Sequence, residues 1–104
     1  MIVVTTNTIE GKTVSKTIGL IKGSTIRARH MGKDIMAGFR SMVGGEIKEY
    51  TKMMAEAREE ALQRMITKAE AEGANAVLSM RFGTSMVMQN ASEVIAYGTA
   101  VVVK

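Results

Sequence analysis

Apolar and polar positions alternate with period two over residues 12–22, which predicts a strand. Val14, Ile18 and Leu20 fall on one face and Thr13, Ser15 and Thr17 on the other. Lys16 interrupts the apolar face, and Gly19 within the run predicts a bulge or a close backbone approach. A short β-prone run over 2–6 comes first, and Asn7 to Gly11 reads as a turn. Gly23-Ser24 predicts the end of the strand, followed by a basic connection over 25–32.

The period then becomes helical. Ile35, Met36, Phe39, Met42 and Val43 build one apolar stripe and predict a short helix over 33–43. Gly44-Gly45 ends it, because glycine accepts the left-handed conformation of a C-terminal cap. Residues 46–72 form the strongest signal: no Gly or Pro, and many good helix formers. Ile47, Tyr50, Met54, Ala57, Ala61, Met65 and Ala69 keep a helical period, and Leu62 and Ile66 widen the stripe. Glu60 and Arg64 are a favourable i, i+4 pair, and Gly73 is the natural stop.

Two strands are predicted at the C-terminal end. Over 75–83, Ala76, Leu78, Met80 and Phe82 alternate against Val77, Ser79 and Arg81. Residues 93–104 are apolar on both faces. The link over 84–92 has its turn at Gln89 to Ser92. Strands at both ends with helices between predict a single α+β domain over 1–104, two layers, with helices on one face of a mostly antiparallel sheet.

This pattern bears on assembly. A helix over 46–72 runs about 40 Å, as long as a compact domain of this size is wide. One layer of helices covers only one face of the last strand, so the other face calls for a neighbour. A homo-oligomer is expected, with that face buried between copies and strand edges paired by cyclic closure.

Composition narrows the chemistry. The 104 residues hold no cysteine, one histidine, ten methionines and a formal charge of +4. Without cysteine there is no disulfide, thiol nucleophile or thiolate metal site. With no secretory signal pattern at the start, a cytoplasmic location without a membrane partner is expected. Residues 1–43 carry seven Lys/Arg against Glu10 and Asp34, which opens the reading of an anionic-polymer binder through 12–40. Phe39, Phe82, Tyr50 and Tyr97 do not interleave with those basic residues in the sequence, so nucleic acid is a disfavoured partner.

No nucleophile–base pair and no glycine-rich phosphate loop is present, so no catalytic residue is assigned and a non-enzymatic role is favoured over an enzyme. An enzyme would have to work through Asp34 or another carboxylate at a subunit boundary. Glu56 and Glu60 are spaced to share a cation, but Lys52 and Arg64 at the same spacing neutralise them. His30, Met86 and Met88 are the weak metal candidates; Met86-Val87-Met88 sets two thioethers on one side of a strand, a donor type that suits Cu(I). Packing explains most methionines more simply. The cofactor stays open, a metal ion being the one candidate.

Several segments together resemble the YbjQ-like family of small proteins. They are Val4-Thr5-Thr6, Ile9 to Lys12, Gly19, Gly23, Asp34, Ala37-Gly38, Arg40, Val43-Gly44-Gly45, Tyr50, Ala57-Arg58, Gly73 to Val77 and Tyr97 to Val101. The resemblance spans nearly the whole chain in order and spacing. It implies a dodecin-like β-α-β-β unit with extra short strands, assembling as a ring, a pentamer. The family carries a heavy-metal-binding label, to which this sequence contributes few donors. The shared polar residues Asp34, Arg40, Tyr50 and Arg58 are the candidates for a small-ligand site or for subunit contacts. The leading expectation is a non-enzymatic, homo-oligomeric ligand-binding or scaffold protein, with a soft-metal binder and an anionic-polymer binder as alternatives.

Overall fold

The computed structural model of the protein describes residues 1–28, 48–88 and 91–104. Strands β1 (Ile2–Val3), β2 (Val14–Ala28), β3 (Ala76–Met88) and β4 (Ala91–Val103) form one sheet in the order β1-β3-β4-β2, and α1 (Lys48–Ala71) packs on one face. The α+β class is therefore as expected. The sheet is mixed rather than antiparallel throughout, because β1 runs parallel to β3 through Ile2–Ala76 and Val3–Val77. The short helix expected over 33–43 lies outside the described residues.

The core is a thin layer. Ala57, Ala61, Met65 and Ala69 of α1 are fully buried against Ile21, Val77, Val94, Ala96 and Ala100. Met54, Leu62 and Ile66 pack around this cluster, so the expected helical stripe is the buried one. Three alanines along it bring the helix backbone close to the sheet. The helix ends in a Schellman motif: Ala74 N–H donates to the Ala69 carbonyl and Gly73 N–H to the Glu70 carbonyl, each at 3.0 Å. Gly73 supplies the positive φ, +87°, that this cap needs.

Strand boundaries differ from the expectation. Gly23-Ser24 does not end β2, which continues to Ala28 with Thr25 buried. Gly23 instead lies under α1, where its missing side chain admits the helix. The expected link over 84–92 is mostly strand: β3 reaches Met88 and β4 begins at Ala91. Both extensions hold because β4 pairs on both sides along this stretch, with Arg27–Ser92 on one flank and Met86–Ser92 on the other. The result is elongated, 54 Å along its longest axis, with a radius of gyration of 17.3 Å against about 13 Å for a compact chain of this length.

Bulges overturn the simple alternation. Irregularities in β2 lie between Val14 and Lys16 and between Thr17 and Gly19. Ile18 therefore packs toward the helix while Val14 and Leu20 remain exposed, so these three do not share a face. Gly19, with φ +131°, sits at the second irregularity, as its place in the run predicts. In β3 the register shifts between Leu78 and Arg81 around Ser79, whose φ is +54°. Ala76 and Leu78 face away from α1, while Met80 packs toward it. The bulge is occupied by the N-terminal segment: Ser79 N–H donates to the Thr6 carbonyl at 2.8 Å and Met80 N–H to the Val4 carbonyl at 3.0 Å.

That segment also covers part of the second sheet face. Val4 and Ile9 pack on Ala76, Leu78, Val101 and Val103. The C-terminal part of β4 is thus shielded by its own chain and does not need a neighbour there. The Asn75 side chain closes this end, accepting from Val103 N–H at 2.7 Å and donating to the Val103 carbonyl at 2.9 Å.

Candidate functional surfaces

Among the described residues, three exposed surfaces carry candidate chemistry. The first is an ion cluster where α1 meets β2. Glu60 accepts from Arg27 Nη2 on one carboxylate oxygen and from Arg64 Nη2 on the other. Arg64 also donates from Nη1 to the Ser24 carbonyl at 2.7 Å. The expected Glu60–Arg64 pair is therefore present, extended by an arginine 33 residues away in sequence. Two guanidiniums on one carboxylate leave a positive remainder. Both Glu60 oxygens are engaged, which removes Glu60 as half of a cation site with Glu56. The cluster fixes the helix over Gly23 rather than offering acid–base chemistry.

The second surface is the far end of the sheet. Met86 and Met88 are exposed there, together with Val87 and Ile26. Met86 pairs with Ser92 and Met88 with Ala91, with a register shift between them. The pairing therefore sends the two thioethers to opposite faces, because partners across a ladder share a face and Ser92 and Ala91 are adjacent. The expected placement on one side does not hold.

The third is the face turned away from α1. Three cross-strand rows run across it beyond the cover of Val4 and Ile9: Lys22–Tyr97–Arg81, Ser24–Ile95–Gly83 and Ile26–Glu93–Ser85. Tyr97 is 39% exposed, and Lys22 and Arg81 are exposed beside it. Tyr97 and Ile95 lie next to Gly83: a methyl group there would meet Tyr97 Cε1 at 3.9 Å and Ile95 Cγ2 at 3.7 Å. Arg81 is held from its outer side, Nη1 donating at 2.8 Å to the carbonyls of Thr5 and Met80. Sequence reasoning missed this row, because its members lie far apart along the chain and only strand register brings them together.

Of the residues expected to form a ligand site, Asp34 and Arg40 lie outside the described residues, as does His30. Tyr50 belongs to the first turn of α1, but its side chain lies outside the description. Arg58 follows buried Ala57 on α1 and is exposed. Their convergence is thus not visible among the described residues. Nor do three His, Asp or Glu side chains gather there into a metal-binding group. No described helix is long and apolar enough to cross a membrane.

Comparison with known proteins places the chain. A family model described as "Putative heavy-metal-binding" (YbjQ) matches residues 1–104. A UPF0145 protein of Dehalococcoides mccartyi strain 195 is 60% identical over 104 residues, covering 100% of both chains. One from Methanosarcina acetivorans is 60% identical over 101 residues, 97% of this chain and 95% of that one. One from Clostridioides difficile is 55% identical over 104 residues, 100% and 93%. Among solved structures, a DUF74-family protein of unknown function from Pediococcus pentosaceus superposes with a TM-score of 0.70 at 18% identity, covering 100% of this chain and 98% of that one. At that identity the likeness speaks for the fold alone.

Proposed function

The chain belongs to the YbjQ-like (UPF0145) family, and on that premise we propose that it works as a cytoplasmic homo-oligomeric ring, a pentamer, that binds or scaffolds ligands without catalysing a reaction. One observation carries this reading: among the described residues, the sheet has two long open edges. β2 is an edge strand of 15 residues. At the other side β1 covers β3 only at Ala76 and Val77, and the N-terminal segment extends that cover to Met80, so 81–88 form a second open edge. Long unpaired edges invite strand pairing. Two different edges on one protomer suit a head-to-tail contact, which closes into a ring when the rotation permits.

Exposed apolar residues flank both edges at the same end: Ile26 on β2, and Phe82, Met86 and Val87 on β3. Pairing would shield them. Asp34, Arg40, Tyr50 and Arg58 remain the candidates for a ligand site between subunits. The family's metal-binding description finds no donor set among the described residues: no carboxylate cluster forms, Glu60 is taken by two arginines, and the two thioethers diverge.

Light scattering of the native protein, with mass spectrometry of whatever co-purifies, tests the proposal. The expected mass is five times 11.2 kDa; a folded species of single-chain mass overturns the proposal, and another multiple overturns the pentamer.

A further inference from the structure

We propose that the Lys22–Tyr97–Arg81 row on the helix-free face is a stacking platform for single-stranded nucleic acid. The proposal goes beyond the ring and stands on a single protomer. The three side chains are register partners on neighbouring strands. Adjacent strands lie about 4.8 Å apart, so an exposed phenol ring has a cation rooted on either side of it.

The surroundings suit a nucleotide chain. Tyr97 has Gly83 as a diagonal neighbour, and with no side chain of its own Gly83 leaves room for the ring edge beside Ile95. Next to this row, Leu20 is 72% exposed and adds apolar surface. Among the register partners of these three rows the acid is Glu93, two rows away beside Ile26. Arg81 is anchored by the carbonyls of Thr5 and Met80, which pre-orders it and limits the entropy lost when a phosphate arrives. Aromatic stacking with flanking cations is how open sheets hold single strands, bases on the ring and phosphates on the basic groups. A small ligand is instead held in a concave pocket that buries most of its surface. The open geometry of this row therefore favours a strand over a free nucleotide.

Fluorescence anisotropy with a labelled thymidine oligonucleotide of roughly fifteen nucleotides is the experiment. Saturable binding is expected, weakening log-linearly with salt. Tyr97→Ala should weaken it about tenfold, and Tyr97→Leu, which keeps bulk but removes the ring, by a similar factor. Tyr97→Phe should stay within about twofold, because the π face is retained. Lys22→Ala should lower the salt slope by about one phosphate contact. Absence of binding at low salt overturns the proposal. So does parental affinity in a folded Tyr97→Leu variant, equal affinity for duplex DNA, or competition by thymidine monophosphate as effective, per nucleotide, as by the oligonucleotide.

Discussion

Gly23 lies directly beneath the backbone of Met65: a methyl group at residue 23 would come within 2.2 Å of the Met65 nitrogen and 2.5 Å of the Ala61 carbonyl oxygen. The neighbours are backbone, not the ends of flexible side chains, so the helix as a whole must lift. Gly23→Ala should therefore destabilise the protein by about 3 kcal/mol or more, at or beyond the upper end for overpacked cores. Denaturant unfolding reads this as a lower midpoint. A variant within about 0.5 kcal/mol of the parent would mean that helix and sheet are not in this contact.

Ser79 offers the opposite sign. Its φ of +54° is an unusual conformation for a side-chain-bearing residue, held by the amide bonds of the bulge to the N-terminal segment. Ser79→Gly removes the steric penalty and should stabilise by up to about 1 kcal/mol, less the entropy that glycine adds to the unfolded chain. Thermal unfolding compared with the parent checks the sign. Gly73→Ala at the helix cap, with φ +87°, should instead lose about 1 kcal/mol.

Glu60→Gln tests the ion cluster. It leaves Arg27 and Arg64 beside each other without the shared carboxylate. The side chains are one-third to one-half exposed, so solvent screening holds the loss to about 1 kcal/mol. The loss should shrink as salt is added. Unfolding midpoints at low and high salt measure it, and a salt-independent loss would count against an electrostatic origin.

Ile26→Lys addresses assembly. Ile26 is 60% exposed, so charge there should change protomer stability by no more than about 0.5 kcal/mol. In a ring closed through the β2 edge the same charge is repeated at every junction, and the native mass should fall toward that of one chain. An unchanged mass would place the subunit contact elsewhere.

Met86 and Met88 bear on the soft-metal reading. Since the ladder sends them to opposite faces, one protomer cannot close both thioethers on a single ion. Titration with Cu(I) under reducing conditions is expected to show no tight one-to-one site lost in the Met86→Leu, Met88→Leu double variant. Uptake that disappears in that variant would refute the register-based argument.

Much of this architecture was legible in local chemistry. The stripe Ala57, Ala61, Met65 and Ala69 repeats every four residues, and a helix buries such a stripe wherever it lands. Gly73 marked the helix end because glycine adopts the positive φ of that cap at little cost, and Gly19 marked a bulge. Glu60 and Arg64 were paired by spacing alone. Strand extent was less legible: Gly23-Ser24 carries a turn signal locally, and only the helix above it explains why the strand continues. Facial assignment failed at Ile18 and Met80 because period two holds only until an extra residue enters a ladder. Whether one does depends on partners remote in sequence, here the Thr6 and Val4 carbonyls for Ser79 and Met80.

Local periodicity alone thus determined the class of fold and the long helix with its buried side. Tertiary structure decided which residues meet: Arg27 with Glu60, Lys22 and Arg81 beside Tyr97, and Val4 and Ile9 over the end of β4. The physical reason is that periodicity is a property of neighbouring residues, whereas register is settled by the whole sheet at once, when bulges, crossing segments and the seat of the helix find their shared minimum.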